Sequence, residues 1–311
     1  MGKEQEIPQR MKEAINGVFI GKEEIVHKSL ICLLAGGHLL IEDVPGIGKT
    51  TLAGTLAKST GCSFGRIQFT PDTLPGDITG MSVYNMKSGE FEYRAGVIMH
   101  QILLGDEINR TSPKTQSSLL EAMAEGQVTV DGVTYLLPDP FMVIATQNPV
   151  EFLGTYPLPE AQMDRFMMRL TIGYPDKEQE ILMAAQFIAG NTPDKICAVC
   201  GPGDIIRLRG LVQTVTVADS VLEYMEGIVE RTRKEERFRL GASPRALLAL
   251  IRASQGNAFL QERSYVTPDD VKYVADSVLA HRLVLSPEAK IRKEDVSGIL
   301  RSLILKEKVP V

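Results

Sequence analysis

The sequence predicts an α/β fold in which a parallel five-stranded sheet lies between layers of helices and carries β-hairpin inserts, followed by a smaller all-helical domain. From residue 39 to residue 172, short apolar runs alternate with amphipathic stretches, as in parallel strands joined by helices. Two segments in this region place turn residues between strand-like arms. After Asp176 the strand patterns stop and helix-start signals follow. We therefore expect two domains, spanning 1–175 and 176–311.

The core elements follow from the alternation of residue types. Each predicted strand is a short apolar run between turn residues, and each predicted helix carries strong helix formers between turn signals. The predicted strands are Leu39–Glu42, Arg66–Phe69, Ile102–Gly105, Phe141–Ala145 and Phe166–Ile172. The predicted helices among them are Lys49–Ser59, Pro113–Glu125 and Glu160–Arg165.

The two hairpin inserts are predicted from their turns. Residues 83–93 place a Ser-Gly turn between arms that carry aromatic residues, and residues 128–135 place an Asp-Gly turn between alternating strands. Both dipeptides tolerate the positive φ angles of tight hairpin turns. We expect both hairpins to be additions to the central sheet.

The second domain is predicted from its helix starts, at Asp176, Asp219, Ser243 and Thr267. Residues 190–204 contain several prolines and glycines, and we expect them to be irregular. This stretch holds Cys197 and Cys200, which have the spacing of metal ligands. Zinc usually needs four ligands, and no second pair lies nearby in the sequence, so we assign these cysteines no metal.

Composition limits the classes of function. The 311 residues are 44% hydrophobic and 23% charged, and no apolar run approaches the roughly 20 residues that cross a bilayer. The amphipathic N-terminus does not resemble a signal peptide, and the chain has only four cysteines, so we expect a soluble, cytoplasmic protein without membrane insertion. The net charge of -5 argues against nucleic acid as a partner.

The stretch Leu39–Thr51 has the pattern of a strand, a glycine-rich turn and the start of a helix. Gly46 and Gly48 allow backbone amides to converge on phosphate, and the helix N-terminus adds a partial positive charge. Lys49 would reach the outer phosphates, and Thr50 would offer its hydroxyl to magnesium. The residues predicted to contact the nucleotide here are Pro45, Gly46, Ile47, Gly48, Lys49, Thr50 and Thr51.

Asp43 occupies the place where the standard phosphate-binding motif has its first glycine, which favours an ordinary strand-to-helix turn. A second motif argues against that interpretation. Ile102–Glu107 ends an apolar strand in two carboxylates, at the sheet edge where open α/β proteins bind ligands. Asp106 would orient magnesium, and Glu107 would polarise the water that attacks the γ-phosphate. The two motifs together predict binding of ATP and Mg²⁺, and Glu107 favours hydrolysis over binding alone.

Three further candidates have competing structural explanations. Asn148 follows a predicted strand and would hold the attacking water or the γ-phosphate, or else it starts an Asn-Pro turn. Arg165 ends a predicted helix, where the helix dipole alone favours a cation. Arg245 lies in the first turn of a helix, where the dipole disfavours a cation, so a nearby phosphate would explain it.

These motifs resemble those of the MoxR family of AAA+ ATPases, over nearly the whole chain. The segments that carry the resemblance are Pro45–Thr50, Gly105–Arg110, Ala145–Pro149, Gly154–Phe166 and Gly241–Ala246. The segment from Gly154 to Phe166 is the most specific of them, because phosphate binding alone does not require it.

The resemblance implies an AAA+ P-loop core followed by a helical lid. It implies that Lys49 and Thr50 are Walker A residues and that Asp106 and Glu107 are Walker B residues. The residues that the resemblance places at the adenine pocket are Phe19, Ile20 and Gly21. It also makes the acidic residue at Asp43 less unusual.

The resemblance further implies that Asn148 is sensor 1, that Arg245 is sensor 2, and that Arg165 is an arginine finger serving the ATP of a neighbouring subunit. Similar proteins form homo-oligomeric rings, commonly hexamers. They act as chaperone-like motors on client proteins, often with a partner that carries a von Willebrand factor A domain.

Three other functions share parts of this pattern. A DNA-associated translocase would use the hairpins to grip nucleic acid, but their turns are acidic or balanced in charge rather than basic. A magnesium-chelatase motor subunit is a close relative that only genetic context or a partner would distinguish. A metabolic kinase would need a pocket for an acceptor substrate, whereas the second domain here is helical and brings Arg245.

Overall fold

The computed structural model describes residues 3–44, 46–149, 155–189 and 196–310. Pro45, Gly154 and part of the expected irregular stretch, 190–195, lie outside these ranges. The strands, numbered along the chain, are β1 Leu39–Glu42, β2 Phe64–Gln68, β3 Gly80–Asn85, β4 Glu90–Ala95, β5 Ile102–Asp106, β6 Gln127–Val130, β7 Val133–Leu136, β8 Met142–Gln147, β9 Met168–Leu170, β10 Phe238–Leu240 and β11 Val284–Leu285. The helices are α1 Lys3–Asn16, α2 Glu23–Leu34, α3 Lys49–Ser59, α4 Pro75–Thr79, α5 Pro113–Glu125, α6 Glu160–Met163, α7 Lys177–Ile188, α8 Pro202–Gln213, α9 Asp219–Lys234, α10 Pro244–Leu260, α11 Pro268–Leu279, α12 Pro287–Ile291 and α13 Val296–Lys306.

Five strands form the central sheet, in the order β2-β5-β8-β1-β9. All the neighbouring pairs are parallel, which confirms the predicted five-stranded parallel sheet. Because the strands run in one direction, their carboxyl ends meet at one edge. The glycine-rich turn after β1 and the acidic pair after β5 therefore lie at that edge.

The sheet is covered on both faces, and its central strands are apolar up to their carboxyl ends, where Glu42, Asp106 and Gln147 lie. Ile102, Leu103 and Leu104 in β5 are fully buried. Leu104 belongs to the larger apolar core, which includes α2, α3 and the second domain, and Leu103 belongs to the smaller core on the α5 side. This alternation follows from the two-residue period of a strand.

Strand β9 is shorter than the predicted segment 166–172. The backbone carbonyl of Phe166 accepts hydrogen bonds from His281 and Arg282 of the second domain, at 3.0 Å and 2.7 Å. That carbonyl is used outside the sheet, although the Phe166 side chain is fully buried. The apolar pattern at residues 166–172 therefore indicates buried side chains rather than a continuous strand. The strand itself begins at Met168.

Both predicted hairpins are present, as β3–β4 and β6–β7. Asp131 and Gly132, at the tip of the second, have φ angles of 49° and 80°, which suits the Asp-Gly turn. The rings of Tyr93 and Tyr135 stack with centroids 3.9 Å apart. This contact joins the two hairpins to each other.

The second domain is helical, as predicted, and also contains a short antiparallel sheet of β10 and β11 that the sequence analysis missed. These strands have three and two residues, too few for an alternating pattern. Ser243 caps α10 by accepting a hydrogen bond from the Ala246 amide at 3.1 Å, and Asp176 caps α7 in the same way. Among the described residues, no helix has the length and apolar character needed to span a bilayer.

Candidate functional site

The turn between β1 and α3 takes its shape from two glycines. Gly46 and Gly48 have φ angles of 85° and 90°, in the left-handed region that other residues avoid. A side chain at Gly48 would also approach Phe19 within 3.1 Å, whereas one at Gly46 would meet no atom within 4 Å. The space beside Gly46 is therefore open, and the amides of the turn border it.

Lys49 is the first residue of α3 and is 8% exposed. Its Nζ donates a hydrogen bond to the Asp43 carbonyl at 2.8 Å. Burial lowers the pKa of Lys49, and the negative charges of Asp106, Asp43 and Glu107 oppose that shift. The ammonium group thus lies within the field of three carboxylates at the sheet edge.

The Asp43 carboxylate closes the base of the turn. It accepts hydrogen bonds from the amide of Val44 at 2.8 Å and from the amide of Gly173 at 2.6 Å. Gly173 follows β9, so the bond connects the edge strand to the glycine-rich turn. This gives a structural reason for an acidic residue where the standard motif has glycine.

Asp106 and Glu107 are oriented by Thr146 on the neighbouring strand β8. The Thr146 hydroxyl donates to Asp106 Oδ1 at 2.6 Å and accepts from the Glu107 amide at 2.8 Å. Glu107 itself has a φ of 58°, an uncommon backbone conformation for a residue other than glycine. Such strain is concentrated at functional sites.

Three polar side chains that the sequence analysis missed contact the acidic pair. Gln68 donates to Glu107 Oε2 at 2.8 Å, and Arg110 Nε lies 3.0 Å from the same oxygen. Arg66 Nη2 donates to Asp106 Oδ2 at 3.0 Å. Arg66 and Gln68 lie on β2, which pairs with β5. The adjacency of these two strands is the signal that would have identified them.

Asn148 lies directly after β8, at the same sheet edge, and is 5% exposed. Its backbone carbonyl is 3.4 Å from Asn109 Nδ2, which comes from the loop after Glu107. The Asn109 carbonyl in turn accepts from the Tyr156 amide at 2.7 Å. The loops after β5 and β8 are thereby connected beside the acidic pair.

A cavity of about 320 Å³ adjoins the glycine-rich turn. Its walls are mostly apolar, and a volume of this size lies in the range typical of small-molecule sites. The residues that line it include Phe19, Ile20, Gly46, Ile47, Gly48, Thr51, Ile172, Gly173, Glu180 and Met183. Gly21 has a φ of 72° and packs closely against Gln179 of α7, where a Cβ would lie 2.2 Å from side-chain atoms.

Lys49, Asp106, Glu107 and Asn148 lie at the sheet edge and are not among the residues that line this cavity. The same is true of the remaining candidates, Thr50, Arg165 and Arg245. Thr50 is exposed in the first turn of α3. Arg165 is half-buried after α6, and its guanidinium donates to the Leu120 carbonyl. Arg245 is exposed in the first turn of α10. Burial lowers the pKa of nearby Arg282, and the charge of Arg245 adds to that shift. The fold thus gathers Lys49, Asp106, Glu107 and Asn148 at one edge of the sheet, and both arginines have their neighbours elsewhere, at Leu120 and at Arg282.

Comparison with known proteins agrees with this arrangement. A family described as "ATPase family associated with various cellular activities (AAA)" matches residues 38–168, and one described as "AAA lid domain" matches residues 230–302. The chain is 41% identical to Chaperone MoxR1 of Mycobacterium tuberculosis over 88% of this chain and 75% of that protein. The chain belongs to the MoxR family of AAA+ ATPases.

Other relatives extend the match along this MoxR-family chain. The uncharacterized protein YeaC of Bacillus subtilis is 52% identical over 96% of this chain and 93% of its own length. The crystal structure of a protein from Cytophaga hutchinsonii, 38% identical, superposes with a TM-score of 0.93 over 99% of this chain and 96% of that one. The fold is therefore an AAA core followed by a helical lid, in a family of nucleotide-binding ATPases.

Proposed function

We propose that this MoxR-family protein binds ATP with Mg²⁺ in the cavity beside the glycine-rich turn and hydrolyses it. The observation that carries the proposal is the meeting of Lys49, Asp106 and Glu107 at the sheet edge next to that cavity. The space beside Gly46, where a Cβ would meet nothing within 4 Å, fits a group that approaches the backbone closely. Phosphate is such a group.

The phosphates would be held by the turn and by Lys49. The amides from Gly46 to Gly48 and the N-terminus of α3 supply partial positive charge, and Lys49 supplies a full charge. On binding, Lys49 would exchange its contact with the Asp43 carbonyl for a phosphate oxygen. Phe19 and Ile20, on the cavity wall, would contact the adenine together with the chain at Gly21.

Thr50 and Asp106 would hold Mg²⁺, because a hydroxyl and a carboxylate are the hard oxygen ligands this ion prefers. The bound ion would neutralise charge on the phosphates. The Thr146 hydroxyl orients one oxygen of Asp106 and leaves the second to exchange its contact with Arg66 for the ion.

Glu107 would accept the proton of the attacking water, with Asn148 beside it to hold that water. The Glu107 carboxylate currently accepts from Gln68 and Arg110 through Oε2. A base that is neutralised in this way polarises water poorly, so we infer that at least one of these contacts opens for hydrolysis. Gln68 and Arg110 would then restrain hydrolysis until the site is complete.

We further propose a homo-oligomeric ring, with six subunits as the expected number, in which sites are shared. Arg165 would complete the ATP site of the adjacent subunit, and Arg245 would contact nucleotide as sensor 2. In this chain Arg165 donates to the Leu120 carbonyl and Arg245 lies near Arg282, so neither contact belongs to the group of Lys49, Asp106 and Glu107. This supports an assembly in which the neighbour and a movement of the lid complete the site.

The energy of hydrolysis would be used to remodel client proteins. A protein with a von Willebrand factor A domain is the candidate partner. The first hairpin supports a protein client, because Met86 and Phe91 are 92% and 73% exposed and its turn is not basic. Exposed apolar side chains of this kind are typical of protein contact surfaces. We propose no nucleic-acid partner and a cytoplasmic location.

The hydrolysis proposal is tested by Glu107→Gln. The amide keeps the shape of the side chain but cannot accept a proton, so ATP affinity should be retained and turnover should fall at least 100-fold, since catalytic bases contribute about 10² to 10⁴. Calorimetry with ATP and a phosphate-release assay measure the two quantities. Turnover above about a tenth of normal would show that another base acts.

The client proposal is tested with the same variant used as a trap. Glu107→Gln should retain client proteins in the presence of ATP, because bound nucleotide is not consumed. Lys49→Ala is the matched control, since it should not hold ATP and so should not retain the same proteins. If both variants co-purify with the same set of proteins at the same yield, nucleotide-dependent client binding is contradicted.

A further inference from the structure

The loop that carries Arg165 is fastened to the lid by a buried ion pair. Asp164 directly precedes Arg165, and its Oδ1 lies 2.7 Å from Nε of Arg282. The Arg282 side chain is 3% exposed and that of Asp164 is 19% exposed. Because a buried charge that loses its partner is strongly disfavoured, these two groups are constrained to stay together.

Arg282 also holds the backbone on both sides of Arg165. Its guanidinium donates to the carbonyls of Phe166 at 2.7 Å, Met167 at 3.2 Å and Asp164 at 3.3 Å. Hydrogen bonds from a charged donor are stronger than neutral ones, and here several converge on one short segment. A single lid side chain therefore fixes the backbone from which the Arg165 side chain projects.

Asp164 is joined to the start of α10 as well. The Ser243 hydroxyl donates to Asp164 Oδ2 at 3.0 Å and caps α10 by accepting from the Ala246 amide. A carboxylate at this position is also favoured by the helix dipole. Arg245 is the second residue of α10. One carboxylate thus connects the helix that carries Arg245 to the loop that carries Arg165.

The cavity beside the glycine-rich turn provides a reason for the lid to respond to nucleotide. Its walls combine Gly46, Gly48 and Thr51 of the core with Glu180 and Met183 of α7. A ligand that fills this space contacts both domains. The position of the lid relative to the core is therefore sensitive to what occupies the cavity.

We propose that Asp164, Ser243 and Arg282 are positioning residues, which couple the lid of one subunit to the arginine that this subunit offers to its neighbour. The inference rests on the proposed function, in which Arg165 acts on the adjacent site. When nucleotide displaces the lid, Ser243 and Arg282 move with it, and the backbone at Arg165 follows through Asp164. The state of one site is thereby transmitted to the next.

A second ion pair that crosses the same junction serves as a matched control. Arg239 of β10 lies 3.0 Å from Glu160 of α6, but the two side chains are 61% and 53% exposed. Exposed pairs of this kind contribute little. Glu160→Gln should therefore leave ATP binding and turnover unmodified, although it breaks a contact between the same two parts of the chain.

Asp164→Asn keeps the shape of the side chain and an oxygen for Ser243, and removes the charge opposite Arg282. We expect ATP affinity to be retained and turnover to fall about tenfold, a part of the 10³ to 10⁵ that an arginine finger can contribute. Ser243→Ala removes the hydroxyl that joins Asp164 to α10 and that also caps this helix. It should lower turnover about threefold, as expected for one hydrogen bond, without exposing a buried charge.

Mixed oligomers locate the defect. In a mixture of Asp164→Asn with Glu107→Gln, the second protein brings a correctly held Arg165 to the intact Glu107 of the first, so turnover should rise several-fold. In a mixture of Asp164→Asn with Arg165→Ala, neither protein supplies a correctly held arginine, and turnover should not rise. Ser243→Ala should give the same pattern, although the substitution lies in the lid.

The opposite pattern, with a gain only when Arg165→Ala is added, would place the effect in the subunit's own site and overturn the coupling. A rate for Ser243→Ala equal to that of the unmodified protein would overturn it as well, and this measurement decides the question if Asp164→Asn does not fold. The reference mixture of Glu107→Gln with Arg165→Ala distinguishes a failure of the shared site from a failure of the coupling through Asp164. If it regains no turnover although the proteins mix, the shared site itself fails, and the inference fails with it.

Discussion

Asp43 shows at the scale of one residue how the glycine-rich turn is held in place. Its carboxylate is buried and bonded to the amides of Val44 and Gly173, and its carbonyl accepts from Lys49. One residue therefore connects the turn, the edge strand β9 and the lysine. The Lys49 ammonium is held in place by this bond, which would lower the cost of ordering it if it binds phosphate as proposed.

Lys49→Ala tests this assignment directly. Backbone amides cannot replace a full positive charge, so we expect ATP affinity to fall about 10- to 100-fold, as for loss of a hydrogen bond to a charged group. Calorimetric titration with ATP measures the change. Lys114→Ala, which removes an exposed lysine at the start of α5, should leave affinity unaltered. Equal affinities of the two variants would contradict the phosphate role of Lys49.

Residues next to one another along the chain could be assigned from the sequence, and residues brought together by strand pairing could not. Gly46, Gly48 and Lys49 lie within one recognisable motif. Gln68 is separated from Glu107 by 39 positions, and its contact depends on the pairing of β2 with β5. A single sequence does not show which strands pair, so the contact between Gln68 and Glu107 could be found only in the structure.

His38 joins several elements of the core. Its Nε2 lies 3.1 Å from the Met123 carbonyl at the end of α5, and its Nδ1 accepts from the Val143 amide of β8 at 3.0 Å. Its own carbonyl accepts from the Met167 amide just before β9. Both ring nitrogens are used by a neutral imidazole, with the proton on Nε2, because Nδ1 must accept.

The core should therefore lose stability in mild acid. Burial lowers the pKa of His38 to about 4, with a smaller contribution from Arg209, against an ordinary value of 6.5. Between these values the unfolded chain binds a proton that the folded chain excludes, so stability falls as pH decreases from 6.5 towards 4, by up to about 1.4 kcal/mol per pH unit from this group. Urea unfolding at pH 7.5 and pH 5.0 measures the loss.

His38→Gln provides the comparison, because it removes the titrating ring and keeps a hydrogen-bonding side chain. Its free energy of unfolding should change less between the two pH values than that of the unmodified protein. His27 and His281 also have lowered pKa values, so part of the acid sensitivity should remain. An identical pH dependence in both proteins would exclude His38 as a source of acid sensitivity.

Elements with a long pattern or a distinct turn were predictable from sequence, and elements defined by tertiary contacts were not. The Asp-Gly hairpin and the helix capped by Ser243 follow from local chemistry. The start of β9 depends on Arg282 and His281, more than 100 positions away, which take the Phe166 carbonyl. The strands β10 and β11 exist only because distant segments of the lid meet.

At the scale of the whole molecule, the proposed site is incomplete in one chain. Lys49, Asp106 and Glu107 lie together at the sheet edge, whereas Arg165 donates to the Leu120 carbonyl and Arg245 lies near Arg282. Asp164, through its contacts with Arg282 and Ser243, joins the loop that carries Arg165 to the lid. These features are explained together if the catalytic unit is an interface between two subunits and the lid relays the state of one site to the next.

Arg165 provides the test at this scale. If it completes a neighbour's site, Arg165→Ala should bind ATP almost normally and hydrolyse it slowly, because a finger acts on charge that develops in the transition state. Glu107→Gln should also be inactive. In a mixed ring, however, an intact Glu107 on one subunit faces an intact Arg165 on the next at some interfaces.

The most direct test of a site shared between subunits is therefore the ATPase activity of Arg165→Ala mixed with Glu107→Gln at varying ratios. A tagged pull-down first confirms that the subunits exchange. We predict that each protein alone is inactive and that activity passes through a maximum at intermediate ratios. An arginine that acts within its own subunit would leave every chain without one essential group. A flat, inactive curve in oligomers proven to be mixed would contradict the shared site.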